Sequence, residues 1–142
     1  MMLLLDTNVL SEVTKPRPDM GVLNWLHALD EDRTFISIMS IAEIHRGVAL
    51  MDSGKKRDAL MDWLNHDLQQ RFHGRVLTVD GPVAAAWGGL MALAKRQGGG
   101  LASMDGFIAA TALAHDLALA TRNTKDFADI GLKIVNPWNV RE

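Results

Sequence analysis

The chain has 142 residues, no cysteine and a formal net charge of −2. Its composition is 48% hydrophobic and 23% charged, which fits one compact domain with a buried core and argues against disorder. The lack of cysteine excludes disulfides and thiolate metal sites, and it suits a reducing cytoplasm. No stretch approaches the roughly 18 consecutive apolar residues of a membrane helix, so we expect a soluble domain without a membrane partner.

Apolar runs and helical spacings alternate along the first half of the chain. A short apolar run ends at Asp6, as a buried parallel strand would, and Asp19 is placed to cap a helix. We predict, in chain order, a strand at 2–5, helices at 7–13 and 19–29, a strand at 34–37, and helices from about Ser40 and over 55–72.

The second half continues the alternation and ends on a strand. Asp80-Gly-Pro82 and Gly98-Gly-Gly100 are typical of the two ends of a helix. We predict a weak strand at 75–79, that helix, an alanine-rich helix at 103–115, a strand at 117–121, a helical turn at 124–130 and a strand at 133–135. Strands that alternate with helices predict an α/β fold, with a mainly parallel sheet covered on both faces. We predict one domain over residues 1–142.

Three carboxylates fall where the predicted strands end. Asp6 ends the first strand, Glu43 lies in the first turn of the helix after the second, and Asp105 opens a later helix. Ligands of open parallel sheets bind beyond the carboxyl ends of the strands. Oxygen ligands from three separate segments suit a hard divalent ion such as Mg²⁺, which keeps water molecules to complete its coordination.

Each carboxylate also has a purely structural interpretation. Asp6 is placed to cap the first helix, and Ser40 with Glu43 fits a capping box. Ser103 is placed to cap its own helix, with Asp105 stabilised by the helix dipole. The three structural interpretations are less convincing when they are taken together, because capping does not require three acids at one edge of one sheet. Clustered carboxylates would also repel one another without a cation.

Four segments resemble the motifs of PIN-domain proteins, in the same order and over almost the whole chain. These segments are Leu4–Asn8, Ile41–Gly47, Met104–Ala112 and Ala120–Phe127. The closing segment Lys133–Trp138 is similar to the tail of the VapC/FitB branch, the toxins of bacterial toxin–antitoxin pairs. The four motifs have matching spacing, and together they make the resemblance to the family strong.

The resemblance implies a parallel sheet of order 3-2-1-4-5 and an acidic pocket that binds Mg²⁺ or Mn²⁺. Asp6, Glu43 and Asp105 would be the metal ligands and catalytic residues of an endoribonuclease. In-line attack by an activated water would leave 5′-phosphate and 3′-hydroxyl ends. Thr7 and Thr121 are candidates for hydrogen bonds to a ligand or to the phosphate. The implied partners are RNA, a VapB/FitA-like antitoxin and a second copy of the chain.

Members of the family often have a fourth acid near the position where this chain has Asn123. Asn123 would have to supply a carbonyl or hold a water, or Asp126 would assist from one turn away. This departure leaves a second metal site in question. Arg46 and Arg122 are candidates for contacts to the RNA backbone, with solvated surface charges as the alternative.

Two other functions fit parts of the pattern. A Mg²⁺-dependent phosphohydrolase that uses Asp6 as a covalent nucleophile typically has Asp-x-Asp, whereas this chain has Asp6-Thr-Asn8. A non-catalytic PIN-fold protein-binding module is favoured by the neutral Asn123 and by the negative net charge, since nucleic-acid-binding domains usually carry a basic excess. The presence of all three principal acids favours the nuclease.

Overall fold

Five short strands form one parallel sheet in the computed structural model, which describes residues 1–140. The strands are β1 (Leu3–Leu5), β2 (Thr34–Ser37), β3 (Val76–Leu77), β4 (Ala118–Ala120) and β5 (Ile134–Val135). Their order is β3-β2-β1-β4-β5, and all four neighbouring pairs are parallel. The predicted fold class and strand order are confirmed; the last two residues of the predicted domain lie outside the described range.

The central strand β1 is apolar because both of its faces are covered. Leu4 pairs in register with Leu119 and packs with it in one hydrophobic cluster. Leu5 pairs with Ile36 and packs with it in a second cluster on the opposite face. Successive side chains of a strand point to opposite faces, so an uninterrupted run of leucines is what a strand buried on both faces requires.

Helices connect the strands and form the two outer layers. They are α1 (Thr7–Glu12), α2 (Met20–His27), α3 (Ile38–Ala49), α4 (Lys55–Asp62), α5 (Leu68–Arg71), α6 (Gly81–Arg96) and α7 (Ser103–Ala114). A π-helical turn, Trp63–Asp67, joins α4 to α5, so the helix predicted over 55–72 is present with one irregular turn. Short 3₁₀ turns lie at Glu31–Arg33 and Thr124–Phe127. Within the described range, no helix is long and apolar enough to cross a membrane.

The predicted start of α3 is wrong, and so is the capping box predicted for Ser40 and Glu43. The helix begins at Ile38, and the side chain of Ser37 caps it by accepting a hydrogen bond from the amide of Met39 at 3.0 Å. Ser40 is therefore inside the helix, and Glu43 lies in the second turn instead of the first. Both serines can cap a helix, and the end of β2 at Ser37 decides between them.

The predicted cap of α7 is also wrong, and the helix packs closely against α6. Ala102 occupies the cap position without a side-chain hydrogen bond, and Ser103 is the first residue of the helix. A Cβ at Gly106 would lie 2.5 Å from the sulfur of Met91 on α6. The small residue thus lets the two helices approach closely, and this contact fixes the first turn of α7, which carries Asp105.

Candidate active site

Asp6 lies at the carboxyl end of β1 and is only 3% exposed. Its amide donates a hydrogen bond to the carbonyl of Ala120 at 2.9 Å, which extends the pairing of β1 with β4 by one residue. Oδ1 of Asp6 accepts the amide of Thr7 at 2.7 Å, so the predicted helix cap is confirmed. Oδ2 accepts the hydroxyl of Thr121 at 2.7 Å. Capping therefore uses one carboxylate oxygen, and the other is directed to the end of β4.

Burial raises the pKa of the Asp6 carboxyl above its ordinary value, and the nearby charge of Glu43 acts in the same direction. Hydrogen bonds from Thr121 and Thr7 oppose the rise without cancelling it. The fold thus keeps a carboxylate in a place where its negative charge is unfavourable. A bound cation would relieve this cost.

Glu43 on α3 is half-buried and reaches the first helix. The Thr7 hydroxyl donates to Oε1 of Glu43 at 2.7 Å and lies 3.0 Å from the hydroxyl oxygen of Ser40. Thr7 therefore links the start of α1 to α3, and Glu43 hydrogen-bonds to a threonine instead of closing the predicted capping box.

Asp105 lies in the first turn of α7, as predicted, and is half-buried. Burial raises the pKa of its carboxyl, and the charges of Asp6 and Asp126 add to the rise. The charge of Glu43 in turn raises the pKa of the Asp6 carboxyl. Asp6 is therefore within electrostatic reach of Glu43 and of Asp105, and Asp105 is also within reach of Asp126. We call Asp6, Glu43, Asp105 and Asp126 the acidic cluster.

The auxiliary candidates lie around this cluster in different states of exposure. Thr121 is fully buried, and its hydroxyl oxygen accepts the amide of Asn123 at 3.1 Å. The side chain of Asn123 is exposed. The exposed guanidinium of Arg122 lies 5.0 Å from the ring centroid of Trp138, and Arg46 is exposed near the end of α3.

Sequence reasoning assigned no role to Asn8, although it is the last residue of the first motif segment. Its Nδ2 lies 3.3 Å from Oδ2 of Asp6 and 3.3 Å from the hydroxyl oxygen of Thr121. Its Oδ1 accepts the amide of Arg122 at 3.2 Å. The available signal was a side chain that can donate, two residues after a carboxylate expected to be buried.

A cleft of about 840 Å³ lies beside Asp105, between the end of α6 and the Thr124–Phe127 turn. Its wall is mixed polar and apolar, and it includes Gln97, Leu101, Asp105, Lys125, Asp126 and Ile130. Asp6 and Glu43 are not part of this wall. The cleft therefore adjoins the side of the acidic cluster formed by Asp105 and Asp126.

The donor set suits a hydrated hard cation better than a dehydrated one. Within residues 1–140, no three carboxylate or imidazole side chains are close enough to form a ready-made group of ligands for one ion. Mg²⁺ usually binds through one or two carboxylates and keeps several water molecules. Like-charge repulsion and the raised pKa values of the Asp6 and Asp105 carboxyls suit such a hydrated ion, and Glu43 is a further oxygen donor beside Asp6.

The sequence profile of the PIN domain matches residues 3–133. The chain is a PIN-domain protein. This PIN domain is 41% identical over 138 residues to Toxin FitB of Neisseria gonorrhoeae, covering 97% of the chain and 99% of the relative. It is 41% identical over 137 residues to VapC ribonuclease Y4jK of Sinorhizobium fredii, covering 96% and 98%.

A solved structure shows the same likeness in three dimensions. The FitAcB structure from Neisseria gonorrhoeae matches this PIN domain with a TM-score of 0.92 and 41% identity, covering 98% of this chain and 100% of that one. The predicted family is thereby confirmed. PIN-domain nucleases generally need a divalent metal ion. Family membership also favours the nuclease over the phosphohydrolase with a covalent Asp6.

Proposed function

We propose that the protein is a metal-dependent endoribonuclease and the toxin of a toxin–antitoxin pair, with Mg²⁺ or Mn²⁺ held by Asp6, Glu43 and Asp105. One observation carries the proposal: Asp6, at the carboxyl end of β1, lies within electrostatic reach of Glu43 on α3 and of Asp105 on α7. The similarity to a VapC ribonuclease supports RNA as the substrate.

Hydrogen bonds from two threonines orient the carboxylates of the proposed site. Thr121 and Thr7 hold the Asp6 carboxylate in one orientation, and Thr7 also holds Glu43. A bound divalent ion supplies Lewis-acid activation of water and of the scissile phosphate. Because burial raises the carboxyl pKa values of Asp6 and Asp105, cation binding should release protons and strengthen with rising pH.

The RNA backbone needs positive charge that the chain as a whole lacks. Arg122 provides a positive charge next to Thr121, and the Trp138 ring restricts the position of its guanidinium. Lys125 is a further exposed cation in the cleft wall with Asp105 and Asp126, and Arg46 is an exposed cation on α3, three residues after Glu43. We propose that RNA binding depends on these local charges, and that Asn123 and Asp126 tune a second cation site.

The proposal includes a partner, because a ribonuclease that attacks its own cell's RNA must be held inactive. A VapB/FitA-like antitoxin that directs a basic side chain at the acidic cluster would compete with both cation and RNA. We also propose a cytoplasmic homodimer, following the family resemblance and the cysteine-free composition.

Growth arrest tests the proposal. The protein expressed alone in a bacterium should arrest growth, and Glu43→Gln should relieve the arrest. Glutamine keeps the side-chain volume and an oxygen that accepts the Thr7 hydroxyl, but it loses the charge that attracts a hard cation. Because glutamine preserves this hydrogen bond, we expect the free energy of unfolding to change by no more than about 1 kcal/mol, the typical net contribution of one hydrogen bond.

Glu31→Gln is the matched control, since Glu31 is an exposed glutamate in the 3₁₀ turn before β2. It should arrest growth like the wild type. If wild type and Glu43→Gln at equal soluble levels slow growth equally, the nuclease proposal fails. The non-catalytic protein-binding module then takes its place.

A further inference from the structure

The side chain of Asn8 bridges two parts of the chain that are more than a hundred residues apart. From the second residue of α1, its Nδ2 approaches Asp6 and Thr121, both at 3.3 Å. Its Oδ1 accepts the amide of Arg122 at 3.2 Å. Asparagine near a helix start usually bonds to its own backbone, so this reach to the segment after β4 is specific to the tertiary structure.

Asparagine meets both requirements of this position. The amide nitrogen must donate to Asp6 and Thr121, and the amide oxygen must accept from the Arg122 backbone. An aspartate would offer only acceptors, and it would add a negative charge beside Asp6. An apolar side chain of equal size would offer neither. The bonding pattern also fixes which end of the amide faces which partner.

Asp6, Asn8 and Thr121 form a closed triangle of contacts. Oδ2 of Asp6 accepts from Thr121 at 2.7 Å and from Asn8 at 3.3 Å, while Oδ1 accepts the Thr7 amide. A carboxylate offers about four lone-pair positions, so roughly one remains free. The three donors therefore hold the plane of the carboxylate and restrict the direction in which it binds anything else.

The other end of Asn8 holds the segment that carries Arg122. The bond from the Arg122 amide fixes the backbone, and the Trp138 ring lies 5.0 Å from the guanidinium. A single side chain thus connects the most buried carboxylate of the acidic cluster to the backbone of the exposed Arg122. Loss of the amide would loosen both groups together.

We propose that Asn8 is a positioning residue that aligns the Asp6 carboxylate for cation binding and the Arg122 segment for an RNA phosphate. This inference rests on the proposed function. Partners that orient a metal-binding carboxylate typically contribute about 10- to 100-fold to metal affinity. We expect a similar contribution here, together with a smaller effect on RNA binding.

Mn²⁺ titration calorimetry on the full chain without RNA tests the first half of the proposal. Asn8→Ala should raise the Kd for Mn²⁺ by about 10- to 100-fold. Asn24→Ala is the matched control, because Asn24 is an exposed asparagine on α2, and it should bind like the wild type. Thermal unfolding of each variant, measured alongside, reports any general loss of structure.

A double-mutant cycle separates positioning from simple packing. Thr121→Val removes the 2.7 Å bond to Asp6 while keeping the side-chain shape. If Asn8 acts through the triangle, Asn8→Ala with Thr121→Val should cost less Mn²⁺ affinity than the two single changes multiplied. Independent effects that multiply fully would overturn the triangle. The KM for a short RNA should also rise in Asn8→Ala, through the loosened Arg122 segment.

Asp6→Asn distinguishes failure of this inference from failure of the proposed function. If Asp6→Asn binds Mn²⁺ like the wild type, the proposed site itself is wrong. If Asp6→Asn loses binding but Asn8→Ala keeps wild-type affinity, only the inference is overturned. Asn8→Leu keeps the branched shape of the side chain without its polar atoms and replaces Asn8→Ala if that variant is unfolded. If neither variant folds, Asn8 is structural and the inference is overturned.

Discussion

The two sides of the acidic cluster differ in how they hold their carboxylates. On the side of β1 and α1, Asp6 is buried and three donors fix its two oxygens. On the side of α7, Asp105 is half-buried and makes none of the side-chain hydrogen bonds found within residues 1–140. It faces the cleft together with Asp126.

Burial raises the pKa of both carboxyls, but the consequences differ. For Asp6, hydrogen bonds offset part of the cost and determine the orientation of the group. For Asp105, the charges of Asp6 and Asp126 add to the cost, and the orientation stays open. One side of the cluster is thus pre-organised, and the other can adapt to what enters the cleft.

The largest expected effect is the loss of cleavage in Asp6→Asn and in Asp105→Asn. Each should weaken Mn²⁺ binding and reduce cleavage by more than the roughly 10- to 100-fold typical of losing a ligand's hydrogen-bond partner. The fold should persist in both, because each change removes a charge that burial disfavours. Calorimetry and RNA cleavage measure the effect, and unchanged Mn²⁺ affinity in both variants would place the cation site elsewhere.

A bulky residue in the cleft should affect RNA binding only on the Asp105 side of the acidic cluster. Ala128 is exposed in the cleft wall, and Ala128→Trp would narrow it without touching Asp6. We expect the KM for RNA to rise on the order of tenfold, about 1.4 kcal/mol, with kcat and Mn²⁺ affinity unchanged. Steady-state kinetics of RNA cleavage measure both KM and kcat and so check this prediction. An unaltered KM would mean that RNA does not enter the cleft.

A further carboxylate at the neutral position should strengthen a second cation site. Asn123→Asp adds charge at an exposed position near the cluster, so the metal concentration for half-maximal activity should fall by about two- to fivefold, in line with exposed ion pairs. Asn65→Asp, at an exposed asparagine in the π-helical turn, is the control. Identical metal titrations for Asn123→Asp and wild type would place Asn123 away from the ion.

A last prediction concerns stability and not activity, at Glu12, a buried carboxylate whose pKa is shifted in the opposite direction. Lys15 at 2.8 Å, and then the Asp19 amide at 2.7 Å, hold the pKa of Glu12 below its ordinary value of 4.5. A depressed carboxyl pKa stabilises the fold above the unfolded value and loses this contribution as pH falls through the folded one. Glu12→Gln should therefore cost about 1 kcal/mol at neutral pH, a typical net value for one hydrogen bond.

Urea unfolding at neutral pH and at about pH 3 checks the Glu12 prediction. The difference between wild type and Glu12→Gln should be largest at neutral pH and should shrink below pH 4.5. A difference that stays constant with pH would show that the ion pair with Lys15 contributes nothing. The same experiment on Asp105→Asn should show the opposite slope, since its carboxyl pKa is raised.

The sequence by itself determined the fold class, the strand order through the family resemblance, and the positions of Asp6 at the end of β1 and of Asp105 in the first turn of α7. Leucines in β1 are continuous because both faces of a central parallel strand are buried. Asp6 and Asp105 were placed correctly, since each directly follows a local signal: an apolar run that ends, or a helix that begins. Such signals depend only on neighbours in the chain.

Only the tertiary structure decided how the site is held together. Ser37 and Ser40 are equal candidates to cap α3, and the end of β2 selects Ser37. Glu43 bonds to Thr7 across 36 residues, and Asn8 reaches Thr121 across 113. Local patterns carry no information about such contacts, because they arise when β1 pairs with β2 and with β4 and distant strand ends come to one edge of the sheet.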